Sequence, residues 1–284
     1  MDNKKAILVF QTDFTYLEGA VAAMYGVVKS VDTQLEIIDA THQIPRYDVY
    51  SASYRLYQYY RFWPTGTVFV SVVDPGVGTT RKAAVAETID GNYIVTPDNG
   101  TLTHLHHSGQ IREIREIDES INRLKGYGTE NTSVFHGRDF FAYCAARLAA
   151  GIISYEEVGK AYPLSEIICF PLPQAAVNDD KVSGHLEIGD PNFGNLWTNI
   201  PLELFLQAGY NFGESINVTV TYQDREVFRQ SISFEKTFGM VNKGDMVVYV
   251  NELSKIAIAL NQDSLMEKYR LGYGTDWEVT FDHE

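Results

Sequence analysis

Val72-Val73-Asp74-Pro75-Gly76-Val77-Gly78-Thr79-Thr80-Arg81 is the stretch on which the reading of this chain turns. The run before it, Thr67-Val68-Phe69-Val70-Ser71, is rich in strand formers and predicts a buried strand. Pro75, Gly76 and Gly78 stop that strand and force a tight loop. Asp74 therefore stands where a strand ends, and Arg81 just beyond the loop. Ligands of open α/β sheets bind at the carboxyl ends of the strands, and a carboxylate with a guanidinium there can orient one small polar molecule. The same spacing also fits a loop held by an ordinary Asp–Arg ion pair, which at a surface contributes only about 0–1 kcal/mol.

Upstream, Ala6-Ile7-Leu8-Val9-Phe10 is a continuous apolar run that fits a central parallel strand. Gln11-Thr12-Asp13 closes it, and an apolar stripe at helical spacing predicts a helix from about Leu17 to Lys29. Asp13 at this junction is read either as a capping or turn carboxylate or as an acceptor for a ribose diol. Leu35-Glu36-Ile37-Ile38 predicts a second strand, and Asp48 to Phe62 a helix whose many tyrosines suit packing. Tyr47 lies in the loop before that helix, at the same sheet edge. Downstream, Asp90-Gly91 between two strand-like runs is a hairpin signal, so the sheet is expected to be mixed. His104, His106 and His107 have no acidic or Cys companions in a metal-ligand pattern, and no metal site is expected. Asp118 to Thr132 is polar and contains glycines, as in a mobile excursion. Phe135-His136-Gly137-Arg138-Asp139 then opens an Ala-rich helix, Phe140 to Ala150, with His136 displayed just ahead of its N-terminus.

Pro171-Leu172-Pro173-Gln174 reads as a connector, since two prolines fit neither a helix interior nor a central strand. The expected organisation is an α/β domain over 1–170, a linker over 171–177 and a β-rich domain over 178–284. The last shows six strand-like runs, 182–188, 216–221, 227–233, 246–250, 255–260 and 277–281, with a helical turn or two at 202–207.

The 284 residues carry a net charge of −14, which argues against a nucleic-acid partner but would not repel a cationic small molecule. Two cysteines, Cys144 and Cys169, are too few for a disulfide framework. No apolar run approaches the ~18 residues of a membrane span, and the five apolar residues after Lys5 are too few for a signal peptide. The expectation is a soluble, cytoplasmic protein without a membrane partner.

Several of these stretches occur in an order that resembles the SAM hydrolases (SAM hydroxide adenosyltransferases), relatives of the SAM-dependent fluorinase and chlorinase. They are Thr12-Asp13-Phe14, Pro64-Thr65-Gly66-Thr67-Val68, Val73-Asp74-Pro75-Gly76-Val77-Gly78-Thr79 with Arg81, Pro97-Asp98-Asn99-Gly100, Phe135-His136-Gly137-Arg138-Asp139, and Asp190-Pro191-Asn192-Phe193-Gly194-Asn195. The resemblance implies an N-terminal α/β domain joined to a C-terminal β-barrel, and a homotrimer with sites at subunit interfaces. It implies hydrolysis of S-adenosyl-L-methionine to adenosine and methionine, with SAM as substrate and no cofactor. It assigns Asp74, Arg81 and His136 to a hydrolytic triad and Asp13 to the ribose hydroxyls. Tyr47 falls near the reacting carbon, and Asp190 and Asn195 match contacts to the methionine part and the adenine. Phe238 matches an adenine-stacking ring.

This chain departs from the family pattern at three places. Thr15 stands where the family usually has Gly, Glu18 where it has Asp, and Asn251-Glu252-Leu253-Ser254 replaces an Asn-Ser-x-Gly stretch. Glu252 could there accept the methionine amino group. Gly137, where halide-using relatives carry Ser, argues against halide transfer and would let the backbone approach the nucleophile closely. Two further readings are a SAM- or adenosine-binding module without turnover, and a nicotinamide dehydrogenase. The second is disfavoured because no Gly-x-Gly-x-x-Gly follows the first strand.

Overall fold

The computed structural model describes residues 5–179 and 181–283. The chain divides into two compact units, Met1–Phe170 and Pro171–Glu284.

The first unit is a six-stranded sheet in the order β2-β1-β3-β5-β4-β6. Its strands are β1 (Leu8–Thr12), β2 (Ile37–Thr41), β3 (Val68–Val72), β4 (Ala83–Thr88), β5 (Tyr93–Pro97) and β6 (Ile111–Glu116). β1 pairs in parallel with β2 and β3, and β3 with β5. β4 runs antiparallel to β5 and β6, so the sheet is mixed. The β4–β5 hairpin turns through Gly91 at φ +76°, a conformation a Cβ would strain.

The apolar run of β1 is fully buried because both of its faces are covered. Strand alternation sends Leu8 and Phe10 to one core, and Val9 to the other. The first core is closed by α1 (Ala20–Val31) and α5 (Tyr143–Ala149), the second by α2 (Val49–Tyr59) and α3 (Thr103–His107). α1 starts three residues later than its apolar stripe predicts. Thr15 sits at φ +58°, outside the helical region, and Leu17 is 85% exposed rather than on the buried face. α2 ends in a 3₁₀ turn, Tyr60–Phe62. The helix expected from Phe140 begins instead as a π-helical turn, Gly137–Ala142, that runs into α5. Cys144 is fully buried in the first core, and its thiol pKa is pushed up to about 12 by that burial.

The polar excursion holds a short helix, α4 (Glu119–Asn122), and a 3₁₀ turn, Thr129–Asn131. Arg123 ties it down, donating to the Thr132 and Thr129 carbonyls at 2.6 and 3.3 Å with its guanidinium over the Phe140 ring.

The second unit is a nearly closed antiparallel barrel, in the order β11-β10-β14-β8-β9-β13-β12 with β7 paired to β8. The strands are β7 (Ala176–Asn178), β8 (Lys181–Gly189), β9 (Leu196–Pro201), β10 (Ser215–Tyr222), β11 (Arg225–Ser233), β12 (Met246–Val250), β13 (Lys255–Leu260) and β14 (Trp277–His283). Closure comes just past β11, where Phe234 bridges Val248 and the Glu235 N–H donates to the Val248 carbonyl at 2.9 Å. Two short helices, α6 (Leu202–Gln207) and α7 (Leu265–Tyr269), complete the unit. Its core stacks Phe205 on Tyr210, with Phe234 and Phe281 edge-on to Phe205. β7 and β9 go beyond the six predicted strands, and β7 takes Ala176 and Val177 out of the expected connector.

Candidate active site

The chain passes from β1 to β2 on one side of β1, then crosses to β3 on the other. The connections therefore diverge between β1 and β3, the position at which open α/β sheets form their ligand crevice. Asp13 follows β1 directly, and Asp74 comes two residues after β3. Both line a cavity of about 600 Å³ together with Phe14, Thr15, Glu18, Arg46 and Tyr47.

Asp74, Arg81 and His136 meet beside this crevice. Arg81 Nε lies 3.0 and 3.1 Å from the two Asp74 carboxylate oxygens, and Nη2 donates to Oδ2 as well. The same Nη2 lies 2.9 Å from His136 Nδ1. The ion pair is largely out of solvent, with side-chain exposures of 6% for Asp74 and 10% for Arg81. The guanidinium also rests 5.3 Å from the centroid of the Phe141 ring. This is a buried, forked ion pair, unlike the solvated surface pair that the spacing also allowed.

Arginine can only donate, so His136 Nδ1 must accept. The ring is then neutral, with its hydrogen on Nε2. Burial first, and the Arg81 charge second, hold the His136 pKa below its ordinary 6.5, in agreement with that tautomer. Nε2 is buried with no hydrogen-bond partner among the described residues. Gly78, at φ +77°, shapes the turn between Asp74 and Arg81, and a Cβ there would stand 3.1 Å from the Ser133 carbonyl. Gly137 is buried, and a Cβ on it would meet the Phe135 and Phe14 rings at 3.2 and 3.3 Å. The glycine thus gives clearance to two aromatic rings.

Asp13 is no helix cap. Gly19 occupies the N-cap of α1, and Asp13 Oδ2 instead accepts the Tyr47 N–H at 2.9 Å. Burial raises the Asp13 pKa, the Tyr47 N–H opposes the rise, and the Asp74 charge adds to it. Tyr47 is 71% exposed and sits at φ +66°. A non-glycine held in that region is strained, and such strain gathers at functional sites. Arg46, which lines the cavity and whose charge opposes the rise in Asp13, was not predicted; an exposed loop Arg carries no distinguishing pattern.

In the second unit, Asn195 and Phe238 line a separate cavity of about 750 Å³ with the Pro191–Gly194 turn and Asn261. Asp190 shapes that turn: its Oδ1 accepts the Asn192 and Phe193 N–H groups at 3.0 and 3.3 Å. Asn261 was also missed. Its amide donates to the Phe238 and Val241 carbonyls at 3.1 and 2.9 Å, fixing the loop that carries the Phe238 ring. Glu252 is exposed in the β12–β13 turn and does not line this cavity. His104, in the histidine cluster, is buried against Ser53 Oγ at 2.8 Å. No group of three or more metal-ligating side chains occurs among the described residues.

Fold and site together define a doubly wound α/β unit joined to a β-barrel, with an acid–guanidinium–imidazole set at its switch point. The chain belongs to the SAM hydroxide adenosyltransferase family: residues 8–159 match its N-terminal domain and residues 184–278 its C-terminal domain. It is 33% identical over 252 residues to an (R)-S-adenosyl-L-methionine hydrolase of Salinispora tropica, covering 89% of each chain. It is 29% identical to a fluorinase of Actinopolyspora mzabensis, over 97% of each. A crystal structure of an uncharacterized conserved protein from Thermotoga maritima superposes with a TM-score of 0.87 at 33% identity, covering 97% of this chain and 99% of that one.

Proposed function

We propose that this protein hydrolyses S-adenosyl-L-methionine to adenosine and L-methionine. The observation that carries the reading is Arg81 bridging Asp74 and His136 beside the crevice that also holds Asp13. In the reaction, a water oxygen forms a bond to C5′ as the C5′–S bond breaks. The electron pair leaves on a neutral thioether, and one proton is released. The sulfonium is already a good leaving group, so no acid is needed. The site has to align the water and exclude its competitors, and alignment can contribute several kcal/mol.

Asp74 takes the role of orienting the water. Its carboxylate is held by the Arg81 fork and keeps its remaining lone pairs for a hydrogen of the water. The proton leaves late, once the forming C–O bond has made the attacking oxygen acidic, and passes by way of the Asp74 carboxylate to solvent. Arg81 fixes the Asp74 carboxylate through its fork, so that the water-orienting lone pairs stay aimed. His136 accepts from Arg81 through Nδ1 and is thereby assigned to hold the guanidinium, with its Nε2–H free to donate to the water or to a sugar oxygen. Asp13 takes the ribose hydroxyls beside Tyr47. In the homotrimer that the resemblance implies, the Asn195 and Phe238 of a neighbouring subunit are assigned to the adenine, and its Asp190 and Glu252 to the methionine end. Glu18 lines the crevice as a further substrate contact.

The test is chromatography of the purified protein incubated with SAM. Adenosine and methionine should appear in equal amounts, and the names of the relatives point to the R sulfonium epimer as the better substrate. Absence of both products with either epimer would leave a SAM- or adenosine-binding module as the reading. The fluorinase relative calls for one more arm: in high chloride or fluoride, a 5′-halo-adenosine product would move the protein to the halide users, against the expectation from Gly137.

A further inference from the structure

Behind Asp13 lies a second chain of polar groups that the proposed reaction does not use. Thr12 and His42 are buried, at 0% and 1% exposure. Thr12 Oγ1 is 2.8 Å from His42 Nδ1, and His42 Nε2 is 3.0 Å from Asp39 Oδ1. Tyr16 and Tyr25 both donate their hydroxyls to Asp39. The order acid, imidazole, hydroxyl is that of a nucleophile triad. Thr12 cannot serve as one, because it has no exposure and its Oγ1 accepts the Phe14 N–H at 3.1 Å.

The backbone contacts show what the chain holds. The Thr15 N–H donates to the His42 carbonyl at 2.8 Å, and the Ile44 N–H to the Thr12 carbonyl at 3.3 Å. The Asp13 turn is thus pinned before and after the carboxylate. The strand end carrying His42 continues directly into Tyr47, whose N–H meets Asp13. With the Thr12 hydroxyl donating to Nδ1 and Nε2–H donating to Asp39, every polar atom on this path is satisfied, which favours one rigid arrangement.

We infer that His42 is a positioning residue for Asp13: the Asp39–His42–Thr12 chain fixes the turn that aims the Asp13 carboxylate, so recognition of the ribose diol depends on a histidine that touches no substrate. This rests on the proposed reading of Asp13 as the ribose acceptor. The consequence is specific. Loosening the turn removes the advantage of a substrate bearing both hydroxyls, and leaves a substrate lacking one of them less affected.

The experiment compares kcat/KM for SAM and for its 2′-deoxyadenosyl analogue in wild type, Thr12→Ser, Thr12→Val, His42→Asn and Asp13→Asn proteins. Calorimetry with adenosine and 2′-deoxyadenosine gives the same ratio without turnover, and circular dichroism reports folding. Wild type and Thr12→Ser should prefer the full ribose. Thr12→Val and His42→Asn should lose about tenfold of that preference, mainly through KM for SAM. Equal losses on both substrates, with the preference intact, would overturn the positioning role and leave Asp13's role standing. A wild type that does not discriminate, or an Asp13→Asn protein that discriminates as well as wild type, would overturn the ribose reading and this inference with it. If His42→Asn does not fold, the near-isosteric Thr12→Val decides.

Discussion

Arg81 is held from two sides by acceptors, a carboxylate and a neutral imidazole, and this sets its expected sensitivity. Arg81→Lys keeps the charge but cannot fork onto Asp74 and reach His136 together. Steady-state assays should show kcat/KM falling by about 10²–10⁴ for Arg81→Lys and Asp74→Asn, the range associated with a positioned acid–base group. The pH dependence follows from His136. Its folded pKa is depressed, so its contribution to stability is full above the ordinary 6.5 and is lost as pH falls through the lower folded value. Protonation would also turn Nδ1 from acceptor into donor against Arg81. The acid limb of activity should therefore lie below pH 6.5, and a limb centred above 6.5 would contradict the tautomer. Thr15 gives a stability prediction. A β-branched residue at φ +58° is strained by about 1–3 kcal/mol, more than the roughly 0.4–1 kcal/mol that a glycine adds in unfolded-chain freedom. Thr15→Gly should raise the melting temperature. That Asp74, Arg81 and His136 come together was legible from their motifs. Their hydrogen-bond order was not, because it depends on which nitrogen of His136 faces a donor-only group.

Strand ends position these side chains, and the strands were the most readable part of the chain. β1 and β3 grow out of runs of apolar and β-branched strand formers, so their termini, and with them Asp13 and Asp74, could be placed from residue pattern alone. β9 was missed because Leu196-Trp197-Thr198-Asn199-Ile200-Pro201 follows directly on a glycine-bearing turn and ends in proline, and its alternation is short. The π-helical turn at Gly137 was also invisible, since one looser turn leaves the helical spacing nearly unchanged. Between β8 and β13 lies an ion pair that no pattern announces: Lys255 Nζ to Glu187 Oε2 at 2.5 Å, with the Glu187 side chain 5% exposed. Burial raises the Glu187 pKa, and Lys255 opposes it. Lys255→Met would leave that carboxylate buried without its cation, and urea melts at neutral pH should show a loss of about 3–5 kcal/mol. His185 on the same strand has its pKa lowered to about 4 by burial and by Lys255. Because the neutral form is the one preferred on folding, stability should decline from pH 6.5 toward pH 4, and His185→Asn should flatten that decline.

At the scale of the molecule, the split near Phe170 was marked by two prolines and by a change from long apolar stripes to short alternating runs. The barrel's closure was not marked, because it depends on Phe234 and Glu235 meeting Val248 across the ends of the sheet. The homotrimer implied by the resemblance is a matter for sedimentation velocity, which should give three times the 32.0 kDa chain mass. Among the described residues, no helix is long and apolar enough to cross a membrane. The thiol of Cys144 lies sealed beneath α5, while Cys169 is only half covered. An aromatic disulfide reagent added to the native protein should thus consume one equivalent early and a second much later. The slow phase would act as a stopwatch on transient opening of the N-terminal core alone, and substrate that settles in the crevice should make it run slower.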